Sequence, residues 1–217
     1  MSSSGISAEQ AYTRGEEIAN TLSAAAGLVV FAVVSPFLMG AALASDESWA
    51  IAGCAIFLVS VFALYASSTL YHALTPCRAK EFVRLLDHSA IFILIAGTYT
   101  PFALGPLAGN AGLTLALIEW AMALLGIAFK WAGGLRYRRA SNLIYLTMGW
   151  LGIFWIRPLV ESIGWTGFLW VLAGGIAYTV GIIFYAAKHR AYSHFVWHLF
   201  VFAGSLCHTV AIWRHAI

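Results

Sequence analysis

Two histidines near the C-terminus have the spacing of metal ligands on a helix. His194 and His198 lie in the stretch Ser-His-Phe-Val-Trp-His at residues 193–198. On a helix, residues four apart share one face and lie about 6 Å apart along the axis. Imidazole pairs at this spacing are natural zinc ligands. A packed, hydrogen-bonded pair is the alternative, but an ionisable side chain in so apolar a segment usually has a function.

The composition is that of a multi-pass membrane protein. Hydrophobic residues make up 61% of the 217 residues and charged residues 10%, with a mean hydropathy of +0.83. These values exclude a soluble domain with one core. The three cysteines have no CxxC spacing and indicate neither a disulfide framework nor a thiolate metal site. We expect a protein of the cell (inner or plasma) membrane, with membrane lipids and no nucleic acid as partners.

Seven apolar runs can be read along the chain, and each is a candidate membrane crossing. The sequence therefore predicts an all-α integral membrane protein with seven transmembrane helices. A single domain covers residues 1–217, of which residues 1–17 form a polar cytoplasmic tail. The fifth run is the shortest. The runs lie at about residues 21–44, 50–72, 88–107, 112–131, 142–156, 165–186 and 195–213.

The basic residues between the runs predict the orientation. Ten of the twelve Lys and Arg residues lie in the tail or in the second, fourth and sixth loops. By the positive-inside rule, the N-terminus is cytoplasmic and the C-terminus lies outside. The ten are Arg14, Arg78, Lys80, Arg84, Lys130, Arg136, Arg138, Arg139, Lys188 and Arg190, against Arg157 and Arg214 on the other side.

This topology brings a third histidine to the depth of the pair. Helix 2 runs inward and ends near His72, whereas helix 7 runs outward from His194. His72, His194 and His198 then supply three imidazoles with one open position, which is the ligand count of a catalytic zinc site. We predict that these three histidines bind zinc at the cytoplasmic side of the membrane.

Two further residues are predicted to take part in catalysis. Ser68 precedes His72 by four residues and shares its helix face, so its hydroxyl could orient the imidazole or donate a hydrogen bond to a zinc-bound water. The His-x3-His stretch contains no glutamate, which makes Asp87 the best candidate for a general base. Asp87 could instead cap the N-terminus of helix 3, and the two roles can coexist.

Two other ionisable residues are set apart from this site. His208 lies ten residues beyond His198, about 15 Å further along the helix, which is too far for the same metal. Glu119 lies inside the fourth run, in the outer half of the membrane. An intramembrane carboxylate is a functional candidate, although Glu119 could simply line water.

These motifs together resemble the hemolysin III family, within the progestin and adipoQ receptor superfamily. The resemblance covers nearly the whole chain. It rests on a Ser-x3-His motif at residues 68–72, an aspartate segment at residues 86–91 and 96–102, a His-x3-His segment at residues 194–198 followed by Cys207-His208, and an opening at residues 15–20.

The resemblance implies zinc held by His72, His194 and His198, with Asp87 and Ser68 beside the metal. It also implies seven helices and a cytoplasmic N-terminus. One position departs from the pattern. Members of the family place a histidine after an Asn-x-x-Ser/Thr sequence, whereas Ala24 follows Ser23 here. The role of that first-helix histidine therefore does not carry over.

Two functional hypotheses follow from the resemblance, because the superfamily includes receptors with ceramidase-like activity and hemolysin III is named for red-cell lysis. The first is a zinc-dependent lipid amide or ester hydrolase, acting on a ceramide or acyl lipid in membrane lipid homeostasis. The alternative is a non-enzymatic pore-forming, cytolytic or bilayer-regulating protein with a structural zinc. The rarity of charged residues inside the bundle argues against a wide aqueous pore.

Overall fold

The computed structural model describes residues 12–187 and 190–217, which form helices joined by short turns. Residues 1–11 of the polar tail and Lys188 of the sixth loop lie outside the described residues. The α-helices are α1 (Arg14–Ala44), α2 (Ser48–Ala73), α3 (Arg78–Leu104), α4 (Asn110–Trp131), α5 (Arg138–Trp150), α6 (Ile156–Ala186) and α7 (Ser193–Ala211).

Within the described residues, six helical stretches are long and apolar enough to cross a membrane. The helices α1, α2, α3, α4 and α7 each provide one stretch. The sixth stretch, Arg138–Ala186, contains both α5 and α6, because only the 3-10 turn Leu151–Trp155 separates them. The prediction of an all-α, multi-pass protein is confirmed, whereas the seventh crossing and the orientation remain predictions.

The stretch Arg138–Ala186 folds back on itself. The guanidinium of Arg138, the first residue of α5, donates a hydrogen bond to the carbonyl of Ala186, the last residue of α6, at 3.1 Å. Within α6, Gly164 has φ 70° and ψ 170°, a conformation that is accessible chiefly to glycine. The start of α5 and the end of α6 therefore lie at the same end of the helix bundle.

The first helix begins earlier than the apolar run predicted. Thr13 and Glu16 form a capping box, in which each side chain accepts a hydrogen bond from the backbone N–H of the other, at 3.3 and 2.9 Å. The Glu16 carboxylate also accepts from the N–H of Tyr192 at 3.1 Å. This contact connects the start of α1 to the start of α7.

The third helix also begins earlier, and this changes the interpretation of Asp87. Helix α3 starts at Arg78, so Asp87 lies well inside it and is buried. The suggestion that Asp87 caps this helix is therefore wrong. The charged residues between Arg78 and Arg84 obscured the true start because they interrupt the apolar run, although they are compatible with a helix.

Small residues allow α1, α2 and α3 to approach one another closely. A Cβ at Gly27 of α1 would overlap the ring of Tyr65 on α2, and a Cβ at Gly97 of α3 would overlap the hydroxyl of Ser60. Such contacts are typical of membrane helices, whose association depends on close packing. They fix α1, α2 and α3 relative to one another.

Candidate metal centre

The three predicted ligands meet between α2 and α7. His72 lies in the last turn of α2, and His194 and His198 lie in the first turns of α7. The ring centroids are 5.0 Å apart for His72 and His194, 5.3 Å for His72 and His198, and 4.6 Å for His194 and His198. One ring nitrogen from each lies within 4.8 Å of the other two, and all three side chains are buried.

The donor set fits a metal ion. A tetrahedral zinc with Zn–N distances of about 2.0–2.1 Å places its ligand nitrogens about 3.4 Å apart, so small ring rotations would close the cluster. Nε2 of His72 is buried and has no hydrogen-bond partner among the described residues. A buried polar atom left in this state is costly, and a metal ion would satisfy it. Three imidazoles suit zinc without identifying it.

A hydroxyl fixes the tautomer of His198. The hydroxyl of Ser23 donates to the backbone carbonyl of Asn20 at 2.9 Å, so its oxygen is left to accept a hydrogen bond from Nδ1 of His198 at 2.8 Å. The proton of the neutral ring is therefore on Nδ1. Nε2 is then unprotonated and accepts a long hydrogen bond from the hydroxyl of Ser68 at 3.4 Å, and a metal ion could bind the same lone pair.

A carboxylate holds His72 in the same tautomer. Glu17 of α1 accepts from Nδ1 of His72 at 2.6 Å and from Nζ of Lys80 at 2.6 Å. Lys80 also donates to the carbonyl of Leu74 at 2.8 Å. A carboxylate on the outer nitrogen of a ligating histidine is a common arrangement in zinc sites, where it orients the ring.

Sequence reasoning missed the roles of Glu17 and Ser23. It placed Glu17 in the polar tail and Ser23 in an apolar run, more than 45 residues before the nearest ligand. A signal was nevertheless present. Glu17, Asn20 and Ser23 are spaced three apart along one side of a mostly apolar helix, and such a polar stripe indicates a face turned toward the bundle interior.

The two residues predicted to be catalytic line a small cavity beside the histidines. Ser68 and Asp87 border this cavity, which has a volume of about 30 Å³ and space for at least one water molecule. His194 and His198 form another part of its wall. The carboxylate of Asp87 lies 3.4 Å from Nδ1 of His88. A carboxylate, a hydroxyl and two candidate ligands therefore border one cavity.

His208 and Glu119 are buried elsewhere. His208 stacks on the ring of Tyr178, with the centroids 5.5 Å apart, and lies outside the three-histidine cluster. Glu119 is completely buried in α4, and neither carboxylate oxygen has a hydrogen-bond partner in the part of the chain that the structure describes.

Six apolar helical stretches and a buried imidazole cluster define a multi-pass helical membrane protein with a candidate metal centre. Residues 12–209 match the family described as "Haemolysin-III related". The chain belongs to this family and, with it, to the progestin and adipoQ receptor superfamily, as the motifs predicted. It is accordingly a multi-pass protein of the cell membrane.

Known relatives are similar over most of the chain. The "Hemolysin-3 homolog" of Bacillus subtilis (strain 168) is 44% identical over 194 residues, covering 89% of this chain and 91% of its own. "Hemolysin-3" of Bacillus cereus is 42% identical over 190 residues, covering 88% and 87%. The "Monocyte to macrophage differentiation factor" of Homo sapiens is 29% identical over 197 residues, covering 84% and 79%.

Removal of any one of the three histidines should abolish stable metal binding. We expect about one metal ion per wild-type chain, and little in His72→Ala, His194→Ala or His198→Ala, because two imidazoles form a far weaker site. Elemental mass spectrometry of purified protein measures this directly. His208→Ala is the matched control and should retain its metal. Loss of metal from His208→Ala but not from His72→Ala would contradict the assignment.

Replacement of Glu17 should weaken metal binding without abolishing it. Glu17→Ala removes the acceptor for Nδ1 of His72, and losses of this kind typically cost about 10–100-fold in metal affinity. Glu17→Gln retains an oxygen acceptor and should recover part of the loss. Competition with a chelator measures the affinity. Glu81→Ala, which removes an ion pair with Arg84, is the control. Equal affinities in Glu17→Ala and Glu81→Ala would refute the role of Glu17.

Proposed function

We propose that this protein is a zinc-dependent hydrolase of membrane lipid amides or esters, with its metal centre at the cytoplasmic side. The observation that carries the proposal is that two cavities adjoin. The cavity beside the histidines contains the polar groups that hydrolysis needs. It borders a larger cavity of about 100 Å³, and the two share wall residues Leu64, Ile91, Trp197 and Val201.

The larger cavity has the character of a site for an acyl chain. Its walls come mainly from α3, α5, α6 and α7 and are predominantly apolar, with residues such as Leu94, Phe102 and Ile182. Mostly apolar walls beside a few polar groups are the usual composition of a ligand site. A lipid whose chain occupied this cavity would place its carbonyl near Asp87 and the histidines.

The residues around the smaller cavity have separate roles in the proposed reaction. A zinc ion bound by the histidines would polarise the acyl carbonyl and lower the pKa of a water molecule. Asp87 accepts a proton from that water as the water oxygen bonds to the acyl carbon. It then gives the proton to the leaving amine or alcohol as the C–N or C–O bond breaks. Ser68 orients the attacking water, while Glu17 and Ser23 keep the imidazoles in place.

Access from the basic side supports the cytoplasmic placement. An open cavity of about 840 Å³ reaches His72, and Arg14, Lys80 and Arg84 are among the residues that line it. The positive-inside rule assigns such residues to the cytoplasm. The bond between Arg138 and Ala186 supports the seventh crossing, because it lets α5 span the bundle in one direction and α6 in the other.

Lipid turnover should depend on Asp87. We expect the purified protein to release fatty acid from a panel of ceramides and acyl lipids. Asp87→Asn should lower kcat by about 10²–10⁴-fold, because the general base is lost while the metal ligands remain. Mass spectrometry of released fatty acid measures the rate, and elemental analysis verifies the metal. Glu161→Gln, an exposed carboxylate paired with Arg157, is the control.

The hydrolase proposal and its alternative give different results. Metal-loaded protein that turns over none of these lipids would contradict the hydrolase. In that case, conductance in planar bilayers that survives His194→Ala would support the non-enzymatic pore-forming function, in which zinc is structural. The names of the two Bacillus relatives, "Hemolysin-3 homolog" and "Hemolysin-3", are the reason for keeping this alternative.

The exposed thiol of Cys77 tests the orientation. Cys77 lies between α2 and α3 and is exposed, whereas Cys54 is buried. In the proposed topology, an impermeant maleimide should label Cys77 in inside-out vesicles and not in intact cells. Cys77→Ser is the control that identifies the labelled residue. Labelling of Cys77 in intact cells would reverse the topology and move the metal centre to the outer side.

A further inference from the structure

Asn20 lies in the middle of the α1 face that contacts the metal centre. Glu17, one turn earlier, bonds one candidate ligand, and Ser23, one turn later, bonds another. Ala24 borders the cavity beside the histidines. At 100° per residue, these four positions fall within an arc of about 120°, and Asn20 lies inside that arc. The side of α1 that carries Asn20 is therefore the side that faces the cluster.

The side-chain amide of Asn20 is buried and unsatisfied. Its exposure is 0%, and neither Oδ1 nor Nδ2 has a hydrogen-bond partner within residues 12–187 and 190–217. An asparagine amide offers two donors and an acceptor with two lone pairs. Native structures rarely leave such a group buried and unpaired without a reason, and a ligand or water that completes the site is one such reason.

The other two polar residues of this stripe have their hydrogen bonds in place. The carboxylate of Glu17 is taken up by His72 and Lys80, and the hydroxyl of Ser23 both donates and accepts. Of these three residues, Asn20 has side-chain N–H groups that donate to no described residue. A neutral amide also suits a position beside a metal, because its N–H donors do not compete with the histidines for the ion.

We propose that Asn20 is a catalytic residue, whose Nδ2–H donates a hydrogen bond to the carbonyl oxygen of the bound acyl lipid. This inference rests on the proposed hydrolase function and assigns to it the donor for the oxyanion. Negative charge develops on the carbonyl oxygen as the water oxygen bonds to the acyl carbon. A fixed donor in a buried site stabilises that charge most effectively when it is already in place.

An inhibitor that mimics the substrate carbonyl tests this role without turnover. The full-length protein is loaded with Co²⁺, and octanohydroxamic acid is titrated in while the visible absorption bands of the metal are followed. We expect Asn20→Leu to raise the Kd for the hydroxamate about tenfold or more, because a hydrogen bond to a charged oxygen is lost. Its Co²⁺ affinity and its spectrum without hydroxamate should match those of the wild type.

Two further variants complete the experiment. Asn20→Asp has nearly the same size but replaces the N–H donors with a carboxylate, so it should also weaken hydroxamate binding. If Asn20→Leu does not fold, hydroxamate binding by Asn20→Asp tests the donor role of Asn20. Thr21→Val, which removes a hydroxyl bonded to the backbone carbonyl of Glu17, is the matched control and should bind like the wild type.

Each outcome separates Asn20 from the rest of the proposal. Wild-type hydroxamate affinity in both Asn20 variants would overturn the role of Asn20, and so would loss of Co²⁺ from folded Asn20→Leu. Failure of the wild type to bind Co²⁺ would instead overturn the metal centre on which this inference depends. If the wild type binds the hydroxamate but hydrolyses no lipid, this result would contradict both the hydrolase function and the catalytic role of Asn20.

Discussion

The whole arrangement depends on satisfying imidazole nitrogens inside an apolar bundle. Each ring has two nitrogens, and a buried one without a partner is costly where no bulk water is available. The carboxylate of Glu17 accepts a hydrogen bond from Nδ1 of His72, and the hydroxyl of Ser23 accepts one from Nδ1 of His198. Both rings are then held with Nε2 available, which is the state a metal needs. The geometry of the centre is therefore set by α1 as much as by the helices that carry the ligands.

Several contacts hold α1 in the position that this role requires. At its start, Glu16 caps the helix and also accepts from Tyr192, which immediately precedes α7. Two turns beyond Asn20, Gly27 lets the helix approach Tyr65 of α2 at a distance that excludes a side chain. Lys80 adds a third connection, because it joins Glu17 to the last turns of α2 and the first turns of α3. The centre is thus fixed by packing and charge from four helices.

The ligands could be predicted from the sequence, because depth in a membrane can be read from apolar runs and basic loops. His72, His194 and His198 share a depth, and the cluster follows from that. The roles of Glu17 and Ser23 could not be read in this way, because they depend on which face of α1 turns toward α7. The start of α3 was missed for a different reason. The charged residues at 78–84 precede the apolar run but belong to the helix, so the sequence alone makes Asp87 a possible cap.

The departure of this chain at position 24 has a physical meaning in the structure. The family pattern that the motifs resemble has a histidine there, whereas Ala24 of this chain borders the cavity that Ser68 and Asp87 also line. An imidazole at this position would extend into a space of only about 30 Å³ and would bring another nitrogen to the metal centre. With alanine, that space is left open to water. On the same side of α1, the hydroxyl of Ser23 contacts a candidate ligand and the amide of Asn20 is buried.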